Sequence, residues 1–131
     1  MKNQIAVIDD SEIMRDAMVH LLCAAGYGVE QYASAAEFLD AADISQADCL
    51  VVDVELGDSL GTEMVRELWL RGYSVPVIFM TGSPNEVFRR DARALGCAAF
   101  LGKPFPADEM LQAIDRAIMR GTGHQPYRKC A

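Results

Sequence analysis

The sequence predicts a doubly wound α/β fold, with a five-stranded parallel sheet in the order 2-1-3-4-5 and five helices covering both faces. Three observations carry this. Short continuous apolar runs, Ile5–Ile8, Cys49–Val52 and Val75–Met80, have the length of strands buried on both faces. The runs alternate with stretches of helical periodicity, three of which close on a glycine (Gly26, Gly72, Gly96), as helices ending in a left-handed residue do. Repeated strand-then-helix units require parallel pairing through right-handed crossovers, which place helices on both faces.

Ile5–Ile8 ends abruptly at Asp9-Asp10-Ser11, and a helix follows at once. Over Glu12–Ala25 the residues Ile13, Ala17, Leu21 and Ala24 recur at helical spacing and are read as the inward stripe, while Met14 and Met18 receive no role. Gly28–Tyr32 alternates and carries polar residues, so the second strand belongs at or near a sheet edge. Ser34-Ala35-Ala36-Glu37 is a capping box opening a second helix that turns Phe38 and Leu39 inward and ends near Ala42.

The third strand, Cys49–Val52, delivers Asp53 at its tip, and the loop Val54–Gly61 contains two glycines and the short polar residues Asp58 and Ser59. A third helix starts near Thr62, buries Met64, Val65 and Leu68, and stops at Gly72; Trp69 is read as a packing or surface residue with no assigned role. Pro76 lies near the first position of the fourth strand, where its missing donor does least harm, and Thr81-Gly82 forms that strand's tip. Ser83-Pro84-Asn85-Glu86 reads as a Ser cap, a proline at the first helical position and a capping-box Glu. The fifth strand, Ala98–Leu101, leads to Lys103-Pro104. The fifth helix, from about Ala107 to Arg120, faces inward with Met110, Leu111, Ile114 and Ile118.

At 131 residues with 51% hydrophobic composition, one domain over residues 1–120 with a flexible tail over 121–131 is expected. Nineteen acidic against twelve basic residues give a net charge of -7, which argues against direct nucleic-acid binding. Cys23, Cys49, Cys97 and Cys130 show no Cys-x-x-Cys spacing, and three fall in apolar or helical stretches, the pattern of buried free thiols in a reducing cytoplasm. With no signal-type or membrane-length apolar run, a cytoplasmic chain without membrane contact is expected.

Asp9, Asp10, Asp53, Thr81 and Lys103 all sit at strand ends on one edge of such a sheet, where strands 1 and 3 are neighbours at the switch point. Three converging carboxylates repel one another. Either one is protonated near neutral pH or a divalent cation neutralises them, and oxygen-only ligands select Mg²⁺ or Mn²⁺. The cation is favoured, because Lys103 and Thr81 complete what phosphoryl chemistry requires: charge on the phosphoryl oxygens and a hydrogen-bond donor. Asp53, central among them, is the nucleophile.

From Gln4 to about Arg120 the chain resembles the receiver domain of bacterial two-component response regulators, on the ordered set Asp9-Asp10, Asp53, Thr81-Gly82, Phe100 and Lys103-Pro104. Pro76–Gly82, with Phe105 after Pro104, is similar to the receivers of nitrogen-fixation and nitrate-response regulators, and the chain reads as receiver only, with no DNA-binding domain following. The resemblance implies a flavodoxin-like fold and a phosphorylation-activated signalling switch. Asp53 would accept a phosphoryl group from a sensor histidine kinase or a histidine phosphotransfer protein. It further implies that Asp10, Asp53 and the Glu55 backbone carbonyl bind Mg²⁺ with Asp9 acting through water, and that Lys103-Pro104 is cis. Thr81, Gly82 and Lys103 would contact the phosphoryl group, with Thr81 and Phe100 moving as the switch that remodels the face of helix 4, strand 5 and helix 5. Chemistry beyond its own phosphorylation and dephosphorylation is not expected, so the chain is not read as an enzyme. A downstream protein target, phosphorelay and a phosphorylation-dependent homodimer are partners the resemblance allows.

Two departures from the family pattern stand out. Gly57 replaces the usual proline and Ser59 a large apolar residue, which predicts a looser loop after Asp53. Glu55 adds a carboxylate whose side chain has two options, away from the site or toward a metal or water. Arg89, Arg90 and Arg93 read as a solvated helix face. A haloacid-dehalogenase-type phosphatase also orders an Asp nucleophile, an acid two residues later, Thr and Lys, as Asp53, Glu55, Thr81 and Lys103 do. Its acidic pair follows the Lys, however, whereas here the pair comes first. A non-phosphorylated scaffold of the same fold would not need all five site residues.

Overall fold

The computed structural model describes residues 2–121 apart from 42, 58 and 84. In chain order the strands are β1 (Gln4–Ile8), β2 (Gly28–Tyr32), β3 (Cys49–Asp53), β4 (Glu55–Leu56), β5 (Ser59–Leu60), β6 (Val77–Thr81) and β7 (Ala99–Gly102). The helices are α1 (Glu12–Ala24), α2 (Ala35–Leu39), α3 (Gly61–Leu70), α4 (Glu86–Ala94) and α5 (Ala107–Gly121). The main sheet is parallel with the order β2-β1-β3-β6-β7. Counting main-sheet strands alone, this is the expected 2-1-3-4-5.

Side chains alternate across the strands, so each apolar run feeds two cores at once. On one face Ala6, Ile8, Leu50, Val52, Val77 and Phe79 pack with Phe38 of α2, with Met64, Val65, Leu68 and Trp69 of α3, and with Ala92 of α4. On the other, Ile5, Val7, Cys49, Val51, Ile78 and Met80 meet Met18 and Leu22 of α1 and Met110, Ile114 and Ala117 of α5. That double burial explains why β1, β3 and β6 read as unbroken apolar runs while β2, at the sheet edge, keeps Glu30 and Gln31 exposed.

Several expectations need correction. In α1, Ile13 is 84% exposed and Ala17 and Ala24 are also exposed, whereas Met18 and Leu22 are buried with Met14 and Leu21 packed beside them. Two apolar series run along this helix one residue apart, and periodicity alone does not say which faces the sheet; the larger side chains do. Cys23 likewise is exposed, while Cys49 is buried and Cys97 half-buried.

The third correction concerns α4, capped by Asn85 rather than Ser83. The Asn85 side chain accepts from the Phe88 N–H at 2.9 Å, and the Ser83 N–H turns back to Thr81 Oγ1 at 3.0 Å. The fourth concerns the loop after Asp53, which forms a paired hairpin where only a loop was expected. β4 and β5 pair antiparallel, Glu55 with Leu60 and Leu56 with Ser59. The turn between them begins at Gly57 with φ +77°, a conformation the proline expected there cannot adopt. The Gly61 N–H then closes the hairpin onto the Val54 carbonyl at 2.7 Å.

At α2 half of the capping box forms as read, with the Glu37 N–H on Ser34 Oγ, while Glu37 Oε1 accepts from the N–H of Ala33, one residue before the cap, both at 3.1 Å. That helix ends sooner than the expected Ala42, at Leu39 with Asp40 as its C-cap. The loop residue Asp58, the proline at position 84, Cys130 and the tail beyond Gly121 lie outside the described residues. Among the described residues no helix is long and apolar enough to cross a membrane.

Candidate functional site

The site is assembled by main-chain bonds at the C-terminal ends of the strands. The Asp9 N–H extends the sheet by donating to the Tyr32 carbonyl at 3.1 Å, the Val54 N–H donates to Met80 O at 2.9 Å, and the Lys103 N–H donates to Thr81 O at 2.7 Å. These bonds bring residues 94 positions apart in sequence into direct contact: Lys103 Nζ lies 3.2 Å from Asp9 Oδ2 and 2.7 Å from Asp53 Oδ2.

Each carboxylate has its second oxygen fixed by the turn that follows it. Asp9 Oδ1 accepts from the Ser11 N–H at 2.9 Å, and Asp53 Oδ1 from the Glu55 N–H at 3.0 Å. Asp9 is fully buried and Asp53 is 6% exposed, whereas Asp10 faces solvent. Ser11 does two things, since its Oγ also caps α1 through the Met14 N–H at 3.2 Å. The Lys103–Pro104 peptide bond is cis.

Burial raises the Asp53 carboxyl above its ordinary pKa, and the charge of Asp9 adds to this. The hydrogen bond and charge of Lys103 and the Glu55 N–H oppose the rise without cancelling it. For Lys103, burial works against the charged form, yet the hydrogen bond and charge of Asp53, joined by Asp9, outweigh it and raise its pKa. The two shifts agree physically: the ammonium sees two anions and some solvent, while the more buried Asp53 sees one cation and a second anion.

The Asp9, Asp10 and Asp53 carboxylates each offer an oxygen, and these oxygens lie within 4.8 Å of one another. Three hard oxygen donors at this spacing fit Mg²⁺ or Mn²⁺. Lys103 now supplies part of the positive charge that this cluster calls for.

Thr81 is fully buried at the end of β6, where its Oγ1 accepts from the Ser83 N–H at 3.0 Å, and a Cβ added at the exposed neighbour Gly82 would meet nothing within 4 Å. Glu55, by contrast, is exposed at the start of the hairpin. Phe100 lies in β7, paired with Phe79 of β6. It is half-buried against the core beneath α3 and α4, with the Arg89 guanidinium 5.0 Å above its ring, which makes one of the helix-4 arginines more than a solvated face.

Sequence reading missed two residues that shape this site. Gly61 was one of two loop glycines without a role, yet a Cβ there would collide with the Asp53 carbonyl and lie 2.6 Å from Val52 Cγ1. Arg15 carries no motif at all, and its Nη1 donates to the Asp9 carbonyl at 2.8 Å. A glycine directly before a helix was a usable signal for the first; nothing in the sequence marks the second.

The sequence profile of the response regulator receiver domain matches residues 5–115. The chain is 37% identical over 116 residues to the transcriptional regulatory protein FixJ of Azorhizobium caulinodans, covering 88% of this chain and 55% of that protein. It is 32% identical over 114 residues to the response regulator protein TodT of Pseudomonas putida, covering 87% of this chain and 50% of that one. It thus spans about half the length of the curated relatives it matches. Among solved structures, full-length FixJ from B. japonicum superposes with a TM-score of 0.85 at 34% identity, over 94% of this chain and 61% of that one. The Vibrio cholerae chemotaxis protein CheY4 does so with a TM-score of 0.81 at 26% identity, over 89% of this chain and 99% of that one. By its profile, its relatives and its fold, the chain belongs to the receiver domain family of two-component response regulators, which are switches activated by phosphorylation.

Proposed function

We propose that Asp53 is the phosphoacceptor of this switch, that Asp10, Asp53 and the Glu55 backbone carbonyl hold Mg²⁺ or Mn²⁺ with Asp9 acting through water, and that residues 1–120 form the receiver unit. The observation that carries this reading is Lys103 Nζ reaching both Asp53 Oδ2 and Asp9 Oδ2. A lysine held between these carboxylates is already in place to follow negative charge onto a phosphoryl group attached to Asp53.

In the transfer step an Asp53 carboxylate oxygen attacks the phosphorus of a phosphohistidine on a sensor kinase or phosphotransfer protein. An O–P bond forms, the P–N bond breaks, and the imidazole leaves with its electron pair and is protonated by solvent. The raised pKa of Asp53 reflects an anion poorly solvated in its free state, hence a better nucleophile once ionised. A bound divalent cation supplies charge neutralisation at the phosphoryl oxygens. Lys103 exchanges Asp53 Oδ2 for a phosphoryl oxygen, and the Thr81 hydroxyl turns to donate to another.

Thr81 moving toward the site would vacate volume behind it, and Phe100 would turn into that volume, releasing its contact with Arg89. The face formed by α4, β7 and α5 changes as a result. Such a switch needs the phosphorylated site to favour one state by a few kcal/mol, about 5.5 for a complete reversal of the population. A downstream protein target and a phosphorylation-dependent homodimer are the outputs this face would serve.

The test is labelling by a small acyl phosphate with Mg²⁺, followed by intact-mass analysis. The wild type should gain one phosphoryl group that is stable to acid and lost in base, and Asp53→Asn should gain none. Wild-type yield on Asp53→Asn would remove Asp53 from the role.

A further inference from the structure

The Asp9 carbonyl lies beyond the last paired residue of β1, and no backbone N–H among the described residues donates to it, although Asp9 is fully buried. A buried carbonyl needs a donor. Arg15, near the start of α1, supplies it through Nη1 at 2.8 Å, and the same guanidinium gives its Nε–H to Gln31 Oε1 of β2 at 3.1 Å. One planar group therefore ties together α1, the tip of β1 and the edge strand. The carbonyl it holds belongs to the peptide joining Asp9 to Asp10. Because that unit is planar, fixing its oxygen fixes the direction from which Asp10 departs.

We propose that Arg15, braced by Gln31, is a positioning residue for the acidic pair: it sets where Asp10 presents its carboxylate to a divalent cation shared with Asp53. This rests on the cation reading of the acidic cluster given above. Asp9 itself is fixed from four sides, by Tyr32 O, Ser11 N, Lys103 Nζ and Arg15 Nη1. Asp10 is exposed, and among the described residues none bonds to its side chain, so its placement depends on the backbone that carries it. Lysine could not replace Arg15 here, because an ammonium lacks the rigid fork that serves two separated acceptors.

The alternative role for Arg15 is purely electrostatic, and it has the opposite sign. A positive charge near the carboxylates opposes cation binding, so removing it would tighten the metal. Loss of a bracing partner instead weakens metal binding by about tenfold or more.

The experiment is direct Mn²⁺ titration of the full chain, reading free Mn²⁺ by electron paramagnetic resonance, for the wild type, Arg15→Ala, Arg15→Lys and Gln31→Ala. Arg15→Ala should bind Mn²⁺ about tenfold more weakly. Arg15→Lys and Gln31→Ala, which keep or leave untouched the positive charge, should also bind more weakly, to a lesser degree. At saturating Mn²⁺, labelling of Asp53 by a small acyl phosphate should return close to the wild-type rate in each. If Arg15→Ala does not fold, Gln31→Ala, altered at an exposed residue, decides alone. Affinity in Gln31→Ala equal to or tighter than wild type would overturn the positioning role. A wild type that binds no Mn²⁺ would overturn the cation reading and this inference with it.

Discussion

Gly61→Ala should damage both the fold and the phosphorylation chemistry by one displacement. The φ of Gly61 is not the constraint; the space is. An added Cβ would overlap the Asp53 carbonyl oxygen and sit 2.6 Å from Val52 Cγ1. Carbon atoms prefer a separation of about 3.5–4.0 Å, so something must yield by roughly 1 Å. Val52 is fully buried in β3 and Asp53 carries the carboxylate proposed as phosphoacceptor, so the yielding part is either the tip of β3 or the start of α3.

Overpacking of this kind costs about 1–3 kcal/mol. For a chain of this size each kcal/mol lowers Tm by about 4 °C, which puts the expected fall at about 4–12 °C. A shift of about 1 Å at a nucleophile can cost on the order of 10²-fold in rate. Thermal unfolding by circular dichroism and the initial rate of Asp53 labelling at saturating Mg²⁺ measure the two effects on one preparation. Gly61→Ala with unchanged Tm and unchanged labelling rate would refute the claim that Asp53 is seated by close approach of the α3 N-terminus.

Labelling of Asp53 should vanish with chelator and fall strongly in Asp10→Asn, read by intact mass; undiminished labelling in chelator would sink the cation requirement. Because the folded pKa of Asp53 is raised, its contribution to stability is full below the ordinary carboxylate pKa and is lost as pH rises through the raised value. Urea midpoints of Asp53→Asn should therefore fall less than those of the wild type between about pH 4 and pH 8, and parallel curves would contradict the shift. Glu55→Ala should shorten the half-life of the phosphorylated form, since the negative charge of an exposed carboxylate two residues from Asp53 repels hydroxide-like water, and no side-chain hydrogen bond among the described residues aligns it as a general base. An equal or longer half-life would refute the screening role and leave Glu55 as a solvent-facing or a water-positioning residue.

The sheet was legible because burial on both faces writes itself as unbroken apolar runs, and the carboxylates and lysine were legible because polar residues ending such runs must sit at the edge. What stayed hidden is rotational or long-range. The face α1 turns inward depends on which of two apolar series, that of Ile13 or that of Met18, fills more space against the sheet. The α4 cap moved from Ser83 to Asn85 because two short polar residues compete for one backbone role, and the Ser83 N–H is taken by Thr81 Oγ1. The hairpin escaped because a strand pair of two residues each has no period to detect, although Gly57 supplied the turn. Arg15 acts on a backbone oxygen six residues back through the fold, and no spacing rule encodes that.

Trp69 is the only tryptophan in the chain, and its indole N–H, buried in α3, is given to the Leu95 carbonyl at the C-terminal end of α4, 2.9 Å away. The protein therefore carries its own optical probe, confined to one seam. Tilting of α4 about that end would leave the emission spectrum still, whereas lifting the helix from α3 would expose the indole and shift its emission to the red. Unlabelled fluorescence thus sorts the motions of α4 into two kinds, pivoting and detachment, and does so at any stage of the signalling cycle.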